Sequence, residues 1–389
     1  MDYAIFGLTL LGVAFFHHRA LHVAIAGLAA VMLVQIALAP SSAAAAYEIV
    51  EHFASEWAVL ANLLLLLLGF AVIARQFEAS HLPGAIPSRL PDGWLGGAVL
   101  LVFVFFLSVF LDNIAGAIIG GVAARHVYRK GVTIGYLAAI VSAANAGGAG
   151  SVIGDTTTTM MWINGISPLE VLPAFIGALG AFAVFAPLAA ISQQNRFPLT
   201  PTTMSGLSID WVRAAIVLFA LGTLVATNVI VNGAFPVLED MAPALGLGLW
   251  AAILATAPVR KPDWSVLREA FKGALFLVTL VALASLMPVD RLPPPSTVST
   301  FGLGVLSAVF DNIPLTALAL NQGGYDWALL AYAVGFGGSM VWFGSSAGVA
   351  LANLFPEARS VFAWLREAWF VPLSYVVGFL AMLAAGSWV

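Results

Sequence analysis

Runs of about 20 apolar residues, separated by short polar stretches, recur from one end of the chain to the other. The pattern predicts membrane-crossing helices at about 3–16, 21–40, 57–74, 94–111, 132–162, 168–191, 210–231, 242–258, 270–288, 297–310, 326–355 and 360–386. A transmembrane barrel would need period-two alternation, which the unbroken run Leu63 to Leu68 contradicts. Met1-Asp2 carries no basic region and no small-residue cleavage site follows, so no signal peptide is expected. Ser192 to Ser208, rich in Thr and Pro, predicts a linker between two halves, and Pro293-Pro294-Pro295 a stiff second connection.

Three segments depart from plain spans. After Asp112-Asn113, the apolar stretch Ile114 to Ala124 has only 11 residues, too few to cross a bilayer alone. The runs 132–162 and 326–355 are too long for one uninterrupted helix, and both carry glycine clusters at mid-depth. A helix broken inside the membrane is tolerated only where its freed backbone is buried in protein or lines a cavity.

Two signatures repeat in the same order. Phe110-Leu111-Asp112-Asn113-Ile114 matches Val309-Phe310-Asp311-Asn312-Ile313 at an offset of 199. Gly147-Gly148 followed by Gly154 matches Gly337-Gly338 followed by Gly344 at an offset of 190, the difference falling largely in the basic loop around Arg125 to Gly131. The chain reads as a duplication. If each Asp-Asn segment is a re-entrant hairpin, each half has five crossings and the halves are inverted. Arg19, Arg75, Arg89, Arg125, Arg129, Lys130, Arg196, Arg213, Arg260, Lys261, Arg268, Lys272, Arg359 and Arg366 then share one face, and only Arg291 lies opposite. Counting each hairpin as a single crossing splits the 15 basic residues 6 against 9 instead. The excess of positive charge on cytoplasmic loops therefore selects hairpins and puts both termini outside.

The expected fold is an all-α polytopic membrane protein of two inverted five-span repeats. The first repeat is 1–195, with hairpin 94–128 and broken helix 132–162. A cytoplasmic linker at 196–208 leads to the second repeat, 209–389, with hairpin 297–323 and broken helix 326–355.

Composition narrows the function classes. Only 9% of the 389 residues are charged, 61% are hydrophobic and the mean hydropathy is +1.00, against about 25% charged in an average soluble domain. A soluble enzyme, a nucleic-acid binder and a disordered scaffold are excluded. The net charge of −4 describes loops rather than a binding surface. With no Cys, the chain has no disulfide framework, thiolate metal site or cysteine nucleophile.

Asp112, Asp155 and Asp311 are the only acids placed at membrane depth, where a carboxylate costs about 2.5–3.5 kcal/mol on insertion scales. They could simply cap broken helices, although Asn113, Asn145, Asn312 and neighbouring hydroxyls could cap without charge. The alternative is a cation site, since carboxylates, amide oxygens, hydroxyls and unwound carbonyls are hard oxygen ligands. Low dielectric also favours the protonated acid, so one group can carry either a proton or a cation in turn. With alternating access, that describes antiport. Gly147, Gly148, Gly154, Gly337, Gly338 and Gly344 are expected to supply the backbone at the breaks, through conformations closed to other residues or through close packing. Thr156-Thr157-Thr158-Thr159 and Ser345-Ser346 follow each cluster, and two of these six hydroxyls are expected to face a substrate, the rest bonding their own backbone.

The stretch Asn145-Ala-Gly-Gly-Ala-Gly-Ser-Val-Ile-Gly-Asp-Thr-Thr-Thr-Thr-Met-Met-Trp162 resembles the signature of NhaD-type sodium/proton antiporters, within the ion transporter superfamily. Ala331-Tyr-Ala-Val-Gly-Phe-Gly-Gly-Ser-Met-Val-Trp-Phe-Gly-Ser-Ser-Ala-Gly-Val349 resembles the second-half signature, and Asp311-Asn-Ile-Pro-Leu315 the second hairpin. The likeness runs from about residue 48 onward. It implies inverted repeats, two re-entrant hairpins, two broken helices, a homodimer with elevator-like movement, and ion-site acids at Asp112, Asp155 and Asp311. The chain departs from the pattern at Ile114-Ala115-Gly116, where hydroxyls are expected after the first Asp-Asn.

The expected function is exchange of Na⁺ or Li⁺ for H⁺ across a bacterial-type inner membrane. Na⁺ and H⁺ would be substrates at one site, with no cofactor and no enzymatic activity. Asp112, Asp155 and Asp311 carry the ions, with Asn113, Asn145, Asn312, Thr156, Thr157, Ser345 and Ser346 as neutral ligands. The expected partners are lipid, small cations and a second copy, with no nucleic acid. Arsenite or another small solute is the alternative cargo within the superfamily. An anion such as citrate would want an intramembrane Arg or Lys, and none is placed there. Gly344-Ser345-Ser346-Ala347-Gly348 fits the G-x-S-x-G nucleophile pattern, yet all six His lie in the first half, near span ends. An intramembrane aspartyl protease would need two touching carboxyls. Glu48, Glu51, His52 and Glu56 share one helix face, which reads as a solvated amphipathic face rather than a metal or pH sensor.

Overall fold

A computed structural model describes residues 1–16, 19–82, 90–199, 208–235 and 241–387. His17, His18, Arg89 and the linker residues 200–207 lie outside the described residues. Among the described residues every regular element is helical. Four helices among the described residues are long and apolar enough to cross a membrane: Ala20–Leu38, Ser42–Glu78, Pro168–Arg196 and Trp211–Val231. A fifth forms if Val361–Glu367 and Phe370–Ala384, bent by 61°, make one span. Several other apolar helices have only 10–17 residues. The chain is a polytopic helical membrane protein in which half-length helices are common.

The chain forms two compact units, 1–82 with 208–291, and 83–207 with 292–389. Each unit draws one stretch from either half of the sequence. The first contains α1 (Asp2–Phe15), α2 (Ala20–Leu38), α3 (Ser42–Glu78), α10 (Trp211–Ala234), α11 (Ala244–Thr256) and α12 (Val266–Ser285). Here α2 and α3 pack on α12, while α10 and α11 pack on each other and on α3. Helix α3 runs 37 residues, well beyond the apolar stretch 57–74, because Ser41 caps it and no Gly or Pro interrupts 42–68. Its amphipathic start is only partly solvated: Glu48 and Glu51 are exposed, but His52 Nε2 meets Ser285 Oγ at 2.9 Å. Asp210 caps α10 and pairs with Arg260 at 3.0 Å. The Arg260 guanidinium holds that carboxyl below the usual carboxylate range, so the pair's contribution is present at neutral pH and lost as pH falls through the lowered value.

The second unit contains α4 (Trp94–Phe110), α5 (Asn113–Val127), α6 (Ile134–Ala149), α7 (Thr156–Ile163), α8 (Pro168–Val171), α9 (Ala174–Arg196), α13 (Thr297–Ser307), α14 (Asn312–Gln322), α15 (Trp327–Gly337), α16 (Ser346–Leu354), α17 (Val361–Glu367) and α18 (Phe370–Ala384). Its centre is α6 and α15, buried along nearly their whole length on all sides. That matches their sequences, which are apolar around the full helical circumference. The run 360–386 is not one helix: it breaks after Glu367, between α17 and α18.

The two halves interlock within this unit. Helix α5 packs on α16, and α14 packs on α7, so the helix after each Asp-Asn turn lies against the helix after the glycine cluster of the other half. Tyr332 on α15 stacks on Phe336 and Tyr375, and its hydroxyl donates to the Tyr375 carbonyl at 2.9 Å.

Close backbone approaches explain the glycine clusters. A Cβ on Gly147 would lie 2.9 Å from the Phe105 carbonyl carbon and nearer still to its oxygen; one on Gly337 would meet Gly304 in the same way, at 2.8 Å from its carbonyl carbon. Gly154 lies against the Ser108 carbonyl and Gly344 against those of Ser307 and Ala308. None of the six cluster glycines has positive φ among the described residues, so tight approach rather than an unusual backbone conformation calls for glycine here. Gly147, Gly148 and Gly337 sit inside helices, Gly338 at a helix end, and Gly154 and Gly344 in the breaks.

Candidate functional site

Four short helices begin close together in the second unit, and each starts at a residue singled out in the sequence. Asp112 is the N-cap of α5, Asp155 of α7, Asp311 of α14 and Ser345 of α16. Helix starts collect there because each Asp-Asn turn and each glycine break ends one helix and opens another at mid-unit. The unsatisfied N–H groups at a helix start favour a negative cap, which stabilises each carboxylate locally.

Capping uses only part of the carboxylate capacity. Asp155 Oδ1 accepts from Thr157 N at 3.0 Å, but Oδ2 is buried with no hydrogen-bond partner, and the residue is 2% exposed. Asp311 Oδ1 accepts from Ile313 N at 3.1 Å, while Oδ2 accepts from Ser346 Oγ at 3.1 Å. Asp112 makes no side-chain cap bond, and its Oδ1 is buried and partnerless. Asp112 and Asp311 both lie within electrostatic reach of Asp155. A buried carboxylate oxygen without a donor is costly unless a proton or a cation meets it.

Asn145 ties the site together. Its Oδ1 accepts from Asn113 Nδ2 at 3.1 Å, and its Nδ2 donates to Ser339 Oγ at 2.9 Å and Ser345 Oγ at 3.1 Å. A line of polar groups thus runs from Asp112-Asn113 through Asn145 to Ser345-Ser346 and on to Asp311. Ser339 belongs to this line and was not among the sequence candidates. The signal for it is a hydroxyl directly after Gly337-Gly338, at the mouth of a break. Replacing Asn145 by Ala should strand the Asn113 amide and two hydroxyls and lower stability by about 3 kcal/mol, read as a fall in melting temperature in detergent.

The hydroxyl run after Asp155 divides as its chemistry suggests. Thr158 Oγ1 donates to the Ser151 carbonyl at 2.6 Å and Thr159 Oγ1 to that of Val152 at 2.9 Å, which closes the break on itself. Thr157 Oγ1 is buried and has no such bond, and Asn312 Nδ2 is likewise buried and partnerless. Thr156 is buried at the first position of α7.

Two other chemistries do not fit. Both oxygens of Asp311 accept from other donors, Ile313 N and Ser346 Oγ, unlike the proton-sharing carboxyl pair of an aspartyl protease. Ser346, the central serine of the G-x-S-x-G pattern, donates to a carboxylate rather than to a base. Among the described residues, no group of three His, Cys, Asp or Glu could hold a metal ion in an all-charged cluster.

No family model matches the chain. Curated relatives do. Sodium/proton antiporter 1 of Arabidopsis thaliana is 30% identical over 89% of this chain, which spans 65% of that protein's length. Sodium/proton antiporter 2 of the same plant is 28% identical over 86% of this chain and 87% of its own. The Na(+)/H(+) antiporter NhaD of Alkalimonas amylolytica is 26% identical over 73% of this chain and 67% of its own length. The chain is thus similar, over most of its length, to several proteins named sodium/proton antiporters, NhaD among them.

Proposed function

We propose that the chain is a secondary transporter, not an enzyme, exchanging Na⁺ or Li⁺ for H⁺ by alternating access. The observation that carries this is Asp155: one carboxylate oxygen caps α7 and the other is buried without a donor. A proton or a dehydrated cation satisfies that oxygen equally, and competition between them couples the two fluxes. Asp112 and Asp311 share the charge, and Asn113, Asn145, Asn312, Thr156, Thr157, Ser345 and Ser346 supply neutral oxygens or hold them in place. Naming of the relatives as sodium/proton antiporters supports the choice of ions.

In the architecture we propose, the halves are inverted five-span repeats, and α4–α5 and α13–α14 are re-entrant hairpins. The matched approaches of Gly147 to Phe105 and Gly337 to Gly304 support equivalent folding of the two copies. The compact unit holding all three acids is the part that moves, elevator-like, in a homodimer seated in a bacterial-type inner membrane with both termini outside. The distribution of basic residues supports that orientation.

Proteoliposomes with a trapped pH dye test the exchange. An imposed inward Na⁺ or Li⁺ gradient should drive protons out, and an equal K⁺ gradient should not. Absence of proton movement with every alkali cation tested, across roughly pH 6 to 9, would overturn the proposal.

A further inference from the structure

The two copies of the glycine signature make the same contact with different residues. At the offset of 190, Asn145 corresponds to Gly335, Ala149 to Ser339 and Asp155 to Ser345. Asn145 on α6 reaches across to Ser339 and Ser345 at the second break. Gly335 on α15 faces the corresponding pair at the first: a Cβ there would lie 3.4 Å from Asp155 Oδ2 and 3.8 Å from the Ala149 side chain. An amide-bearing side chain against a hydroxyl cap in one copy thus becomes a bare glycine against a carboxylate cap in the other.

Resting on the exchange reading above, we propose that Gly335 is the residue that sets cation specificity, by keeping the space beside Asp155 Oδ2 for the ion. Asn145 fills the matching place at the second break with its own amide, so only one of the two duplicated positions takes a cation. Three observations meet here. Asp155 is 2% exposed and its Oδ2 has no hydrogen-bond partner. Ser345, the cap that Asn145 does reach, carries no charge, and its Oγ accepts from Asn145 Nδ2 and Gly348 N. Gly335 is not required for helix crossing, since no backbone atom stands in the way of a Cβ, unlike at Gly147 or Gly337. What a side chain at 335 would obstruct is the carboxylate.

Two variants test this in the proteoliposome assay. In Gly335→Asn, the new amide should donate to Asp155 Oδ2 as Asn145 donates to Ser345. Exchange should fall to background while the melting temperature stays level or rises, and stabilisation of the purified protein by added NaCl over KCl should vanish. In Gly335→Ala, a methyl trims the site without adding a donor. Site size and ligand number decide selectivity among hard cations, so apparent Na⁺ affinity should fall about tenfold and Li⁺ affinity by less. Should Gly335→Asn not fold, the Na⁺ to Li⁺ ratio of Gly335→Ala decides alone. Equal loss for both ions in Gly335→Ala, or exchange by a folded Gly335→Asn at the unmodified rate, would overturn the role of Gly335. An unmodified protein that moves no protons with either ion would instead overturn the exchange reading on which it rests.

Discussion

Asp155→Asn should abolish cation-driven proton movement and leave the protein folded. Asn is among the best N-cap residues, and its amide oxygen can accept from Thr157 N as Asp155 Oδ1 does at 3.0 Å. The capping role therefore survives the substitution. The charge and the exchangeable proton do not. A side chain that serves only as a cap would tolerate the change, with exchange within about twofold of the unmodified rate and stability shifted by no more than about 0.5 kcal/mol. A side chain that alternately carries a proton and a cation would lose exchange to the background of empty vesicles. Melting temperature should hold or rise, because the buried Oδ2, which has no donor, is replaced by an uncharged group. Normal exchange in the variant would remove Asp155 from the site.

Gly147→Ala should prevent stable folding. Carbon–oxygen contacts across helices settle at about 3.3 Å, whereas the added Cβ would stand 2.9 Å from the carbonyl carbon of Phe105 and closer to its oxygen. The obstacle is backbone, which no rotamer change can move. Helices α4 and α6 would have to separate, and α6 is buried on every side, so the strain has nowhere to relax. Overpacking of this kind costs about 3 kcal/mol or more. The expected readout is loss of a monodisperse peak in size-exclusion chromatography after detergent extraction. Gly222→Ala is the control: nothing lies within 4 Å of that Cβ, and an interior helical Gly replaced by Ala gains about 0.5–1 kcal/mol. A well-folded Gly147→Ala protein would show that α4 and α6 do not cross this closely.

The breaks, the Asp-Asn turns and the acids that begin helices there were legible because each leaves a mark on local sequence. A carboxylate in a run of apolar residues has few structural excuses, and a glycine cluster inside an overlong run marks an interruption. Legibility ended where the structure depends on contacts between distant stretches. Ser339 was missed because its counterpart in the first copy is Ala149, so the repeat gave no polar partner to match. The bend of 61° between α17 and α18 falls just after Arg366-Glu367, a charged pair that hydropathy averaged over the whole apolar run does not separate. Cluster glycines left freed backbone and close packing both open in the sequence, and Gly147 and Gly337 prove to accommodate the carbonyls of Phe105 and Gly304 on earlier helices. The extent of α3 depends on its cap at Ser41 and on packing against α12, neither of which periodicity contains.

The interlocking of the halves also sets an order of events during synthesis. Helix α7 has eight residues and packs on α14 and α15, which lie about 150 residues further along the chain. At a translation rate of about 5–20 residues per second, the ribosome needs roughly 10–30 s to deliver them. Throughout that interval, Asp155 stands at the head of a helix that has its neighbour α6 but not yet α14 or α15. The insertion machinery, or lipid headgroups drawn inward, must shelter that carboxylate until the second half arrives. Nascent chains arrested before residue 312 should accordingly crosslink to insertase components from positions near Asp155, and longer ones should not.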